Sequence, residues 1–257
     1  MQIIENIQTW KEIRNALNKT DRIGFVPTMG NLHPGHLSLT QTSRDENTCT
    51  LVSLFVNPTQ FNNPEDFTHY PRTLEQDLDL LRTAQVDYCF IPQAETLYLD
   101  NYRYQISENL HSNDLEGACR PGHFTGVLTI VMKLLQIIRP HTAYFGEKDY
   151  QQYALIEGMT KAFFIDTNIT LCPTIREPSG LAYSSRNNRL SPQQRQQAEQ
   201  FATIFHQGNS CTQIEKDLSQ AGILVEYIRE KENRRYAAVN IGGVRLIDNY
   251  QFSLRSA

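Results

Sequence analysis

Five short apolar runs, each separated from the next by a segment with helical spacing, constrain the fold of this chain most strongly. The runs predict strands at residues 23–27, 49–56, 88–91, 143–145 and 169–171. The intervening segments predict helices at residues 34–44, 74–84, 124–138 and 150–164. Strands that are apolar throughout and alternate with helices form parallel sheets covered on both faces. We therefore expect a doubly wound, Rossmann-like α/β sheet.

The pattern changes after about residue 173. Residues 191–205 and 212–221 predict helices rich in Gln, and Ser191 followed by Pro192 is a typical helix start. Three short alternating runs at 225–228, 236–239 and 244–247 predict a small antiparallel sheet. We expect two domains: a Rossmann-like domain over residues 1–173 and a smaller C-terminal α+β domain over residues 174–257.

Charge, cysteine usage and hydropathy exclude several classes of protein. The net charge is −4, so there is no basic excess to neutralise the phosphates of a nucleic acid. The five cysteines show neither zinc nor redox spacing, which favours free thiols in a reducing compartment. The N-terminus does not resemble a secretion signal, and the most apolar region, 127–138, is too short to span a bilayer. We expect a cytoplasmic protein that binds neither nucleic acid nor membrane.

The predicted helix at 124–138 has an unusual distribution of polar residues. Thr125, Thr129, Lys133 and Gln136 form one stripe, and the rest of the circumference is apolar. A helix of this kind is buried. Burial in the core of its own chain and burial against another subunit both remain open.

The first chemical signal is a predicted strand that runs through a loop into a helix, in the segment PTMGNLHPGH. Gly30 permits a tight turn or close approach of a ligand, and Pro34 suits the first helical turn. The N-terminus of the helix is a ready anion site, and His33 and His36 share one of its faces. An incidental pair or a zinc site are the alternatives, but no Cys or His cluster supplies further zinc ligands. The strand-loop-helix context favours nucleotide binding.

Two further segments carry cationic and hydroxyl groups. In GEKD, at residues 146–149, Lys148 at the end of a strand could reach a triphosphate, and Asp149 could cap a helix or hold a ribose or Mg²⁺. In SSRN, two hydroxyls and Arg186 could clamp phosphates. Taken alone, GEKD is by default a solvated turn, and SSRN is hardly distinguishable from a surface loop. GEKD gains weight because it is expected at the same edge of the sheet as the two histidines.

The segment FVNPTQF ends the second predicted strand. Asn57 and Gln60 offer neutral donors and acceptors, suited to a hydroxyl and a carboxylate. Simple strand termination by Asn-Pro is the alternative. Asp77 is a conceivable Mg²⁺ contact, although a solvated helix carboxylate is the simpler interpretation.

Together these segments resemble one family, the pantothenate synthetases, within the HxGH nucleotidyltransferase superfamily. The resemblance covers roughly residues 20–195, with a weaker echo at residues 243–249. Asn31, Ser179 and Tyr183 depart from the residues usual in the family. The strings that carry the resemblance are PTMGNLHPGH, SLFVNPTQF, YPR with the later Asp77, RPGHFTGVLTIVMKLLQIIRP, AYFGEKDYQQ and PTIREPSGLAYSSRNNRLS.

The resemblance implies a ligase that uses ATP with Mg²⁺. Pantoate would attack ATP to give a pantoyl-adenylate and pyrophosphate, and β-alanine would displace AMP to give pantothenate. It implies a homodimer whose second domain acts as a lid. His36 is implied as the proton donor, with His33, Lys148 and Arg186 as further catalytic groups. Gln60 and Gln152 would hold pantoate, and Gln60 would also meet β-alanine. The residues implied for ATP are Met29, Gly30, Asn31, Leu32, His33, Pro34, Gly35, His36, Gly146, Glu147, Lys148, Asp149, Ile175, Tyr183, Ser184, Ser185 and Arg186.

Three other functions remain as alternatives, of which a structural subunit has only the apolar helix at 124–138 in its favour. A nucleotidyltransferase with the same HxGH signature would require a phosphorylated acceptor and a basic acceptor pocket, whereas Gln60 and Gln152 are neutral. A nucleotide-binding regulator without catalysis is disfavoured by the intact His33, His36, Lys148 and Arg186.

Overall fold

The computed structural model describes residues 1–252. They divide into two compact units. The first contains Met1–Gly146 and Gln151–Cys172, and the second contains Glu147–Tyr150 and the described residues from Pro173 onward. No helix among residues 1–252 is long and apolar enough to cross a membrane.

The first unit contains a six-stranded parallel sheet in the order β1-β4-β3-β2-β5-β6. The chain moves outward from β2 through β3 to β4, then returns to place β5 on the other side of β2. The strand order therefore reverses between β2 and β5, where doubly wound sheets bind ligands beyond the carboxyl ends of their strands. The predicted fold class is confirmed. The strands are β1 (Gln2–Ile4), β2 (Ile23–Thr28), β3 (Cys49–Leu54), β4 (Tyr88–Phe90), β5 (Thr142–Gly146) and β6 (Asn168–Cys172).

Both faces of this sheet are covered by apolar clusters. Successive strand residues point to opposite faces, and neighbouring residues of β2 accordingly fall into different clusters: Phe25 into one and Val26 into the other. The same alternation separates Leu51 from Val52 in β3. The helices of this part of the chain are α1 (Ile7–Ala16), α2 (Pro34–Glu46), α3 (Pro64–Thr68), α4 (Leu74–Thr83), α5 (Ala94–Leu97), α6 (Glu116–Cys119), α7 (His123–Ile138) and α8 (Tyr150–Ala162).

Helix α7 is buried within its own unit. Residues on nearly its whole circumference belong to one of the two clusters, so the interpretation as a core helix accounts for its apolar sequence without a second subunit. Two of the four residues in the polar stripe also have partners within this unit. Thr129 accepts a hydrogen bond from the backbone N–H of Ile106 at 2.9 Å, and the Lys133 ammonium lies 3.1 Å from a carboxylate oxygen of Asp100.

The second unit contains an antiparallel sheet in the order β7-β8-β9, packed with two helices. Its hairpin turns, at Glu232-Asn233 and Gly242-Gly243, have positive φ at both central residues, as tight two-residue hairpins require. Ser191 and Gln194 form a capping box at the start of the first helix. The elements are α9 (Pro192–Phe205), α10 (Cys211–Gln220), β7 (Leu224–Lys231), β8 (Arg234–Ile241) and β9 (Val244–Gln251).

Candidate active site

The loop that joins β2 to α2 is held in shape by a buried carboxylate. Gly30 and Asn31 have φ of 78° and 49°, so the chain makes a left-handed turn here. The N–H of Gly30 donates to the Thr28 hydroxyl, whereas the next two N–H groups face α4. Asp77 of α4 accepts hydrogen bonds from the N–H groups of Asn31 at 2.9 Å and Leu32 at 2.7 Å. Asp77 is only 3% exposed. The interpretation of Asp77 as a solvated helix carboxylate is therefore wrong, because its oxygens are committed to anchoring this loop.

The two histidines that follow the loop are stacked. The ring centroids of His33 and His36 lie 3.9 Å apart, with the planes inclined by 25°. His33 occupies the N-cap position of α2, and Pro34 is in the first turn, as the sequence predicts. Both residues are partly exposed, so their rings can meet a ligand at the N-terminus of α2. Within residues 1–252, no group of three His, Cys, Asp or Glu side chains that could hold a metal ion includes this pair.

Gln60 lies in a short 3-10 turn, Pro58–Gln60, that follows β3. Its side-chain Nε2 donates to the sulfur of Met29 at 3.2 Å, so two residues predicted from separate motifs are in contact. Gln60 is 9% exposed and Asn57 is 1% exposed. Burial of both amides argues against strand termination as the only role of this segment.

A chain of hydrogen bonds fixes which way the Gln60 amide points. The Tyr98 hydroxyl donates to Oδ1 of Asn57 at 2.6 Å, and Thr59 donates to the same atom. Because Oδ1 of Asn57 faces these two donors, its Nδ2 points in the other direction. This Nδ2 donates to Oε1 of Gln60 at 3.1 Å. Burial raises the pKa of Tyr98 to about 12, so this hydroxyl keeps its proton at neutral pH. The NH₂ end of Gln60 is thereby presented as a donor.

Two residues at or just before the start of α7 support the same 3-10 turn. A guanidinium nitrogen of Arg120 lies 3.1 Å from Nε2 of His123, and Nδ1 of His123 lies 2.8 Å from the carbonyl oxygen of Gln60. Because a guanidinium only donates and a carbonyl only accepts, the neutral imidazole with its proton on Nδ1 satisfies both contacts. These supporting residues belong to the RPGHFTGV string, but nothing in their spacing indicated that they contact Gln60.

Gln152 lies in the first turns of α8 and is partly exposed. Its neighbour Gln151 has a structural role, since its Nε2 donates to the carbonyl oxygens of His111 and Asp114 at 2.8 Å. Helix α8 follows β5, which ends at Gly146 at the same edge of the sheet as the ends of β2 and β3. The sheet thus places Gln152 on the edge that also carries Met29 and Gln60.

The last three residues of GEKD lie in the second unit and form a 3-10 turn, Glu147–Asp149, whereas Gly146 ends β5 in the first unit. The side chain of Lys148 is 18% exposed, and its ammonium lies 3.5 Å from a carboxylate oxygen of Asp149. Glu147 forms an ion pair with the buried Arg234 at 2.8 Å. The solvated-turn alternative is therefore wrong for Glu147 and Lys148, which are held within the unit.

The segment that contains Ile175 and SSRN forms a narrow turned structure in the same unit. Arg176 and Ala182 form an antiparallel bridge, and the N–H of Tyr183 donates to the carbonyl of Ile175 at 3.1 Å. Ser184 accepts from the N–H of Arg186 at 3.2 Å. Asn187 then donates to the carbonyl of Ala182, so SSRN is a defined turn rather than an extended surface loop.

The two units share the predicted site residues. In the first unit, Met29 contacts Gln60 and His33 stacks on His36. The residues that support these two pairs are Asn57, Thr59, Asp77, Tyr98 and His123. The first unit carries Met29, Gly30, Asn31, Leu32, His33, Pro34, Gly35, His36, Gln60, Gly146 and Gln152, and the second carries Glu147, Lys148, Asp149, Ile175, Tyr183, Ser184, Ser185 and Arg186.

Comparison with known proteins adds independent evidence. The family model for pantoate-beta-alanine ligase matches residues 2–251. Pantothenate synthetase of Legionella pneumophila strain Lens is 57% identical over 250 residues, covering 97% of this chain and 99% of the relative. That of Coxiella burnetii strain Dugway 5J108-111 is 51% identical over 252 residues, covering 98% and 97%.

Solved structures agree with these relatives. The pantoate-beta-alanine ligase of Francisella tularensis, crystallised with beta-gamma ATP and beta-alanine, has a TM-score of 0.94 and 46% identity, covering 98% of this chain and 97% of that one. The pantothenate synthetase of Thermus thermophilus has a TM-score of 0.87 and 36% identity, covering 98% and 99%. On the combined evidence of sequence, fold and strand-loop-helix geometry, this chain belongs to the pantoate-beta-alanine ligase family.

Proposed function

We propose that this chain condenses (R)-pantoate with β-alanine in two steps driven by ATP. A carboxylate oxygen of pantoate bonds to the α-phosphorus as the bond to pyrophosphate breaks, which gives pantoyl-adenylate. The amine of β-alanine then bonds to the acyl carbon as the bond to AMP breaks, and the amine loses a proton. The observation that carries this proposal is the stacked His pair at the start of α2, next to a loop whose Met29 contacts Gln60.

The first step brings several negative charges together, so it needs fixed donors around the phosphates. We assign this role to His33, His36, Lys148 and Arg186, with His36 as the proton donor. Further ATP contacts are assigned to Met29, Gly30, Asn31, Leu32, Pro34, Gly35, Gly146, Glu147, Asp149, Ile175, Tyr183, Ser184 and Ser185.

We assign pantoate binding to Gln60 and Gln152, and β-alanine binding to Gln60. The amide orientation of Gln60 supports this assignment. Its Oε1 accepts from Asn57, whereas its Nε2 faces the weakly accepting sulfur of Met29. A pantoate carboxylate or hydroxyl oxygen is a far better acceptor, so it would replace the sulfur.

Mg²⁺ is best assigned to the bound nucleotide. No group of three His, Cys, Asp or Glu side chains within residues 1–252 could hold a metal ion. Mg²⁺ commonly binds through substrate phosphates and one or two carboxylates, with several waters retained. We propose that it arrives with ATP in this way.

We also propose that the chain has two domains, 1–173 and 174–257, the second of which acts as a lid. We propose further that the protein is a homodimer and is located in the cytoplasm. Sedimentation at working concentration tests the homodimer, and a monomer would refute it. Most of α7 is buried within its own unit, so this helix could contribute only its partly exposed residues to a dimer interface. Other surfaces of the chain would have to supply the rest.

An omission assay tests the function. ATP, pantoate and β-alanine are each left out in turn, and pyrophosphate, AMP and pantothenate are measured. We expect pyrophosphate release to require pantoate but not β-alanine at single turnover, and AMP and pantothenate to require all three. Pyrophosphate release that ignores pantoate but responds to a phosphorylated acceptor would favour a nucleotidyltransferase instead. ATP binding with no AMP formed would favour a regulator.

A further inference from the structure

Strand β9 contains Asn249, a residue that the proposed chemistry leaves without a role, and it contacts the turn that carries Lys148. Asn249 is 4% exposed. Its Nδ2 donates to two successive backbone carbonyl oxygens, that of Glu147 at 3.0 Å and that of Lys148 at 2.7 Å. One buried amide therefore holds two consecutive peptide units of this turn.

Arg234 of β8 completes the arrangement. One of its guanidinium nitrogens donates to Oδ1 of Asn249 at 2.5 Å, which orients the amide so that Nδ2 faces the turn. The other donates to the Glu147 carboxylate at 2.8 Å. The guanidinium also lies 3.9 Å from the ring centroid of Tyr150, within range of a cation–π contact. Arg234 thus holds the turn at its first residue and at the residue that follows it.

We propose that Asn249 and Arg234 are positioning residues that set the direction in which Lys148 projects. This inference rests on the proposed role of Lys148 toward the phosphates of ATP. The physical reason is that a lysine side chain has a flexible four-carbon stem, and its charge is useful only where the backbone below it is fixed. The contacts reach the backbone on both sides of the Lys148 Cα, which is where such control must act.

The two residues can be altered with little change in size. Asn249→Asp keeps the acceptor for Arg234 but replaces the amide donor with an oxygen that repels the carbonyls of Glu147 and Lys148. Arg234→Lys keeps the charge but loses the planar fork that reaches Asn249 and Glu147 together. Arg235→Lys is the matched control. Arg235 is next in the same strand and 7% exposed, and it bonds to Glu230, Tyr250 and the carbonyl of Gln207 rather than to the Lys148 turn.

The first measurement is single-turnover pyrophosphate release with enzyme in excess over ATP, so that slow variants remain measurable. We expect Asn249→Asp and Arg234→Lys to slow this step by roughly tenfold to 10²-fold, as misplacement of a reacting group by about 1 Å can do. The KM for pantoate should not change, and Arg235→Lys should react at the wild-type rate. In a Lys148→Ala background, Asn249→Asp should add less than about threefold, because its target is already missing.

The second measurement is independent of activity. Amide hydrogen exchange of the peptide covering residues 147–150 should accelerate in Asn249→Asp and Arg234→Lys but not in Arg235→Lys. Full additivity of Asn249→Asp with Lys148→Ala, or a wild-type rate and unchanged exchange in the positioning variants, would overturn the inference. Wild-type protein that forms no AMP with all three substrates would instead refute the proposed function, so the two failures are distinct.

Discussion

At the scale of single residues, the candidate site combines partly exposed groups that can meet a ligand with buried groups that hold them. His36 and Lys148 are of the first kind. The Lys148 side chain is 18% exposed, and its ammonium pairs with Asp149, whose own side chain is 46% exposed, so removal of the lysine leaves no buried charge unpaired. Its loss should affect catalysis far more than folding.

We predict that His36→Ala and Lys148→Ala each slow pantoate-dependent pyrophosphate release by about 10²–10³, the usual cost of losing one preorganised donor. The free energy of unfolding should change little. Lys161→Ala serves as the control, since its side chain is 71% exposed and pairs with Glu157 one turn away. Adenylation at the wild-type rate in His36→Ala or Lys148→Ala would contradict the role given to that residue.

Asp77 is one of the buried groups that hold the site. Asp77→Asn should weaken the hydrogen bonds that fix the loop between β2 and α2. An amide can present only one oxygen, so one of the two N–H groups that Asp77 satisfies would face another donor. Hydrogen bonds to a charged group contribute about 1.5–3 kcal/mol each, and we expect the free energy of unfolding to fall by an amount in that range. The KM for ATP should rise at the same time.

Asp79→Asn is the comparison for this experiment. Asp79 lies on the same helix, but its side chain is 76% exposed and pairs with Arg82 on the surface. Exposed pairs contribute little, so urea unfolding and the KM for ATP should both stay near wild type. Equal effects of the two substitutions would show that Asp77 has no special connection to the loop.

These residues also show what sequence could and could not predict about the site. His33 and His36 lie three apart at the start of one helix, so local spacing was enough to place their rings together. The bonds from Asp77 to the loop join residues 45 and 46 positions apart, and the Asn249 amide reaches residues 101 and 102 positions away. Contacts between residues so far apart in sequence depend on how strands and helices pack, so no local sequence pattern predicts them.

At the scale of secondary structure, the longer elements were predictable because their periodicity is strong. Helix α7 begins one residue before the predicted start and ends at the predicted residue, and β2 is one residue longer than predicted. Strand β1 and helix α1 were not predicted. The three residues of β1 are too few to establish a pattern, although parallel pairing with β4 at the edge of the sheet stabilises the strand. Trp10 of α1 is fully buried, which makes this helix part of the core.

Close packing of α7 against the 3-10 turn makes a sharp prediction for Gly126. A Cβ at this position would lie 2.4 Å from the carbonyl oxygen of Thr59 and 2.7 Å from the Cα of Gln60. Because backbone cannot yield as a flexible side chain can, we expect Gly126→Ala to lower the free energy of unfolding by about 1–3 kcal/mol. The KM for pantoate should rise because Gln60 is displaced.

Gly158 of α8 is the matched control, as a glycine inside a helix where a Cβ would meet no atom within 4 Å. Gly158→Ala should raise the free energy of unfolding by about 0.5–1 kcal/mol, since alanine loses less backbone entropy on folding. Urea unfolding and pantoate kinetics on both variants give the comparison. A Gly126→Ala variant as stable as Gly158→Ala would mean that the turn is not packed as tightly as described.

At the scale of the whole molecule, the buried Asp248 and the partly buried His141 couple stability to pH. Burial alone would raise the pKa of Asp248, but hydrogen bonds from His206 and Arg176 outweigh it and hold that pKa below the ordinary 3.8. Burial, together with the charges of Arg22 and Arg14, lowers the pKa of His141 below 6.5. Neutral His141 accepts a hydrogen bond from the N–H of Ile23 at 2.9 Å. In both cases the unfolded chain binds a proton more tightly than the folded chain, so acidification favours unfolding.

The two groups should act in different pH ranges. His141 contributes stability that is complete above its unfolded pKa of 6.5 and is lost as pH falls below that value. Asp248 contributes stability that is complete above its unfolded pKa of 3.8 and is lost as pH falls through its lower folded pKa. The free energy of unfolding should therefore fall in two stages as the protein is acidified.

We predict that His141→Asn removes the upper stage, because its Oδ1 can still accept from Ile23 but cannot titrate. Asp248→Asn should lower stability at neutral pH, since Arg176 loses its carboxylate partner, yet its stability should depend less on pH below about 4. Urea unfolding from mildly alkaline to strongly acidic pH on the wild type and both variants provides the test. A wild type whose stability stays constant from about pH 8 to about pH 5 would contradict the role of His141, and an Asp248→Asn variant as sensitive to acid as the wild type would contradict that of Asp248.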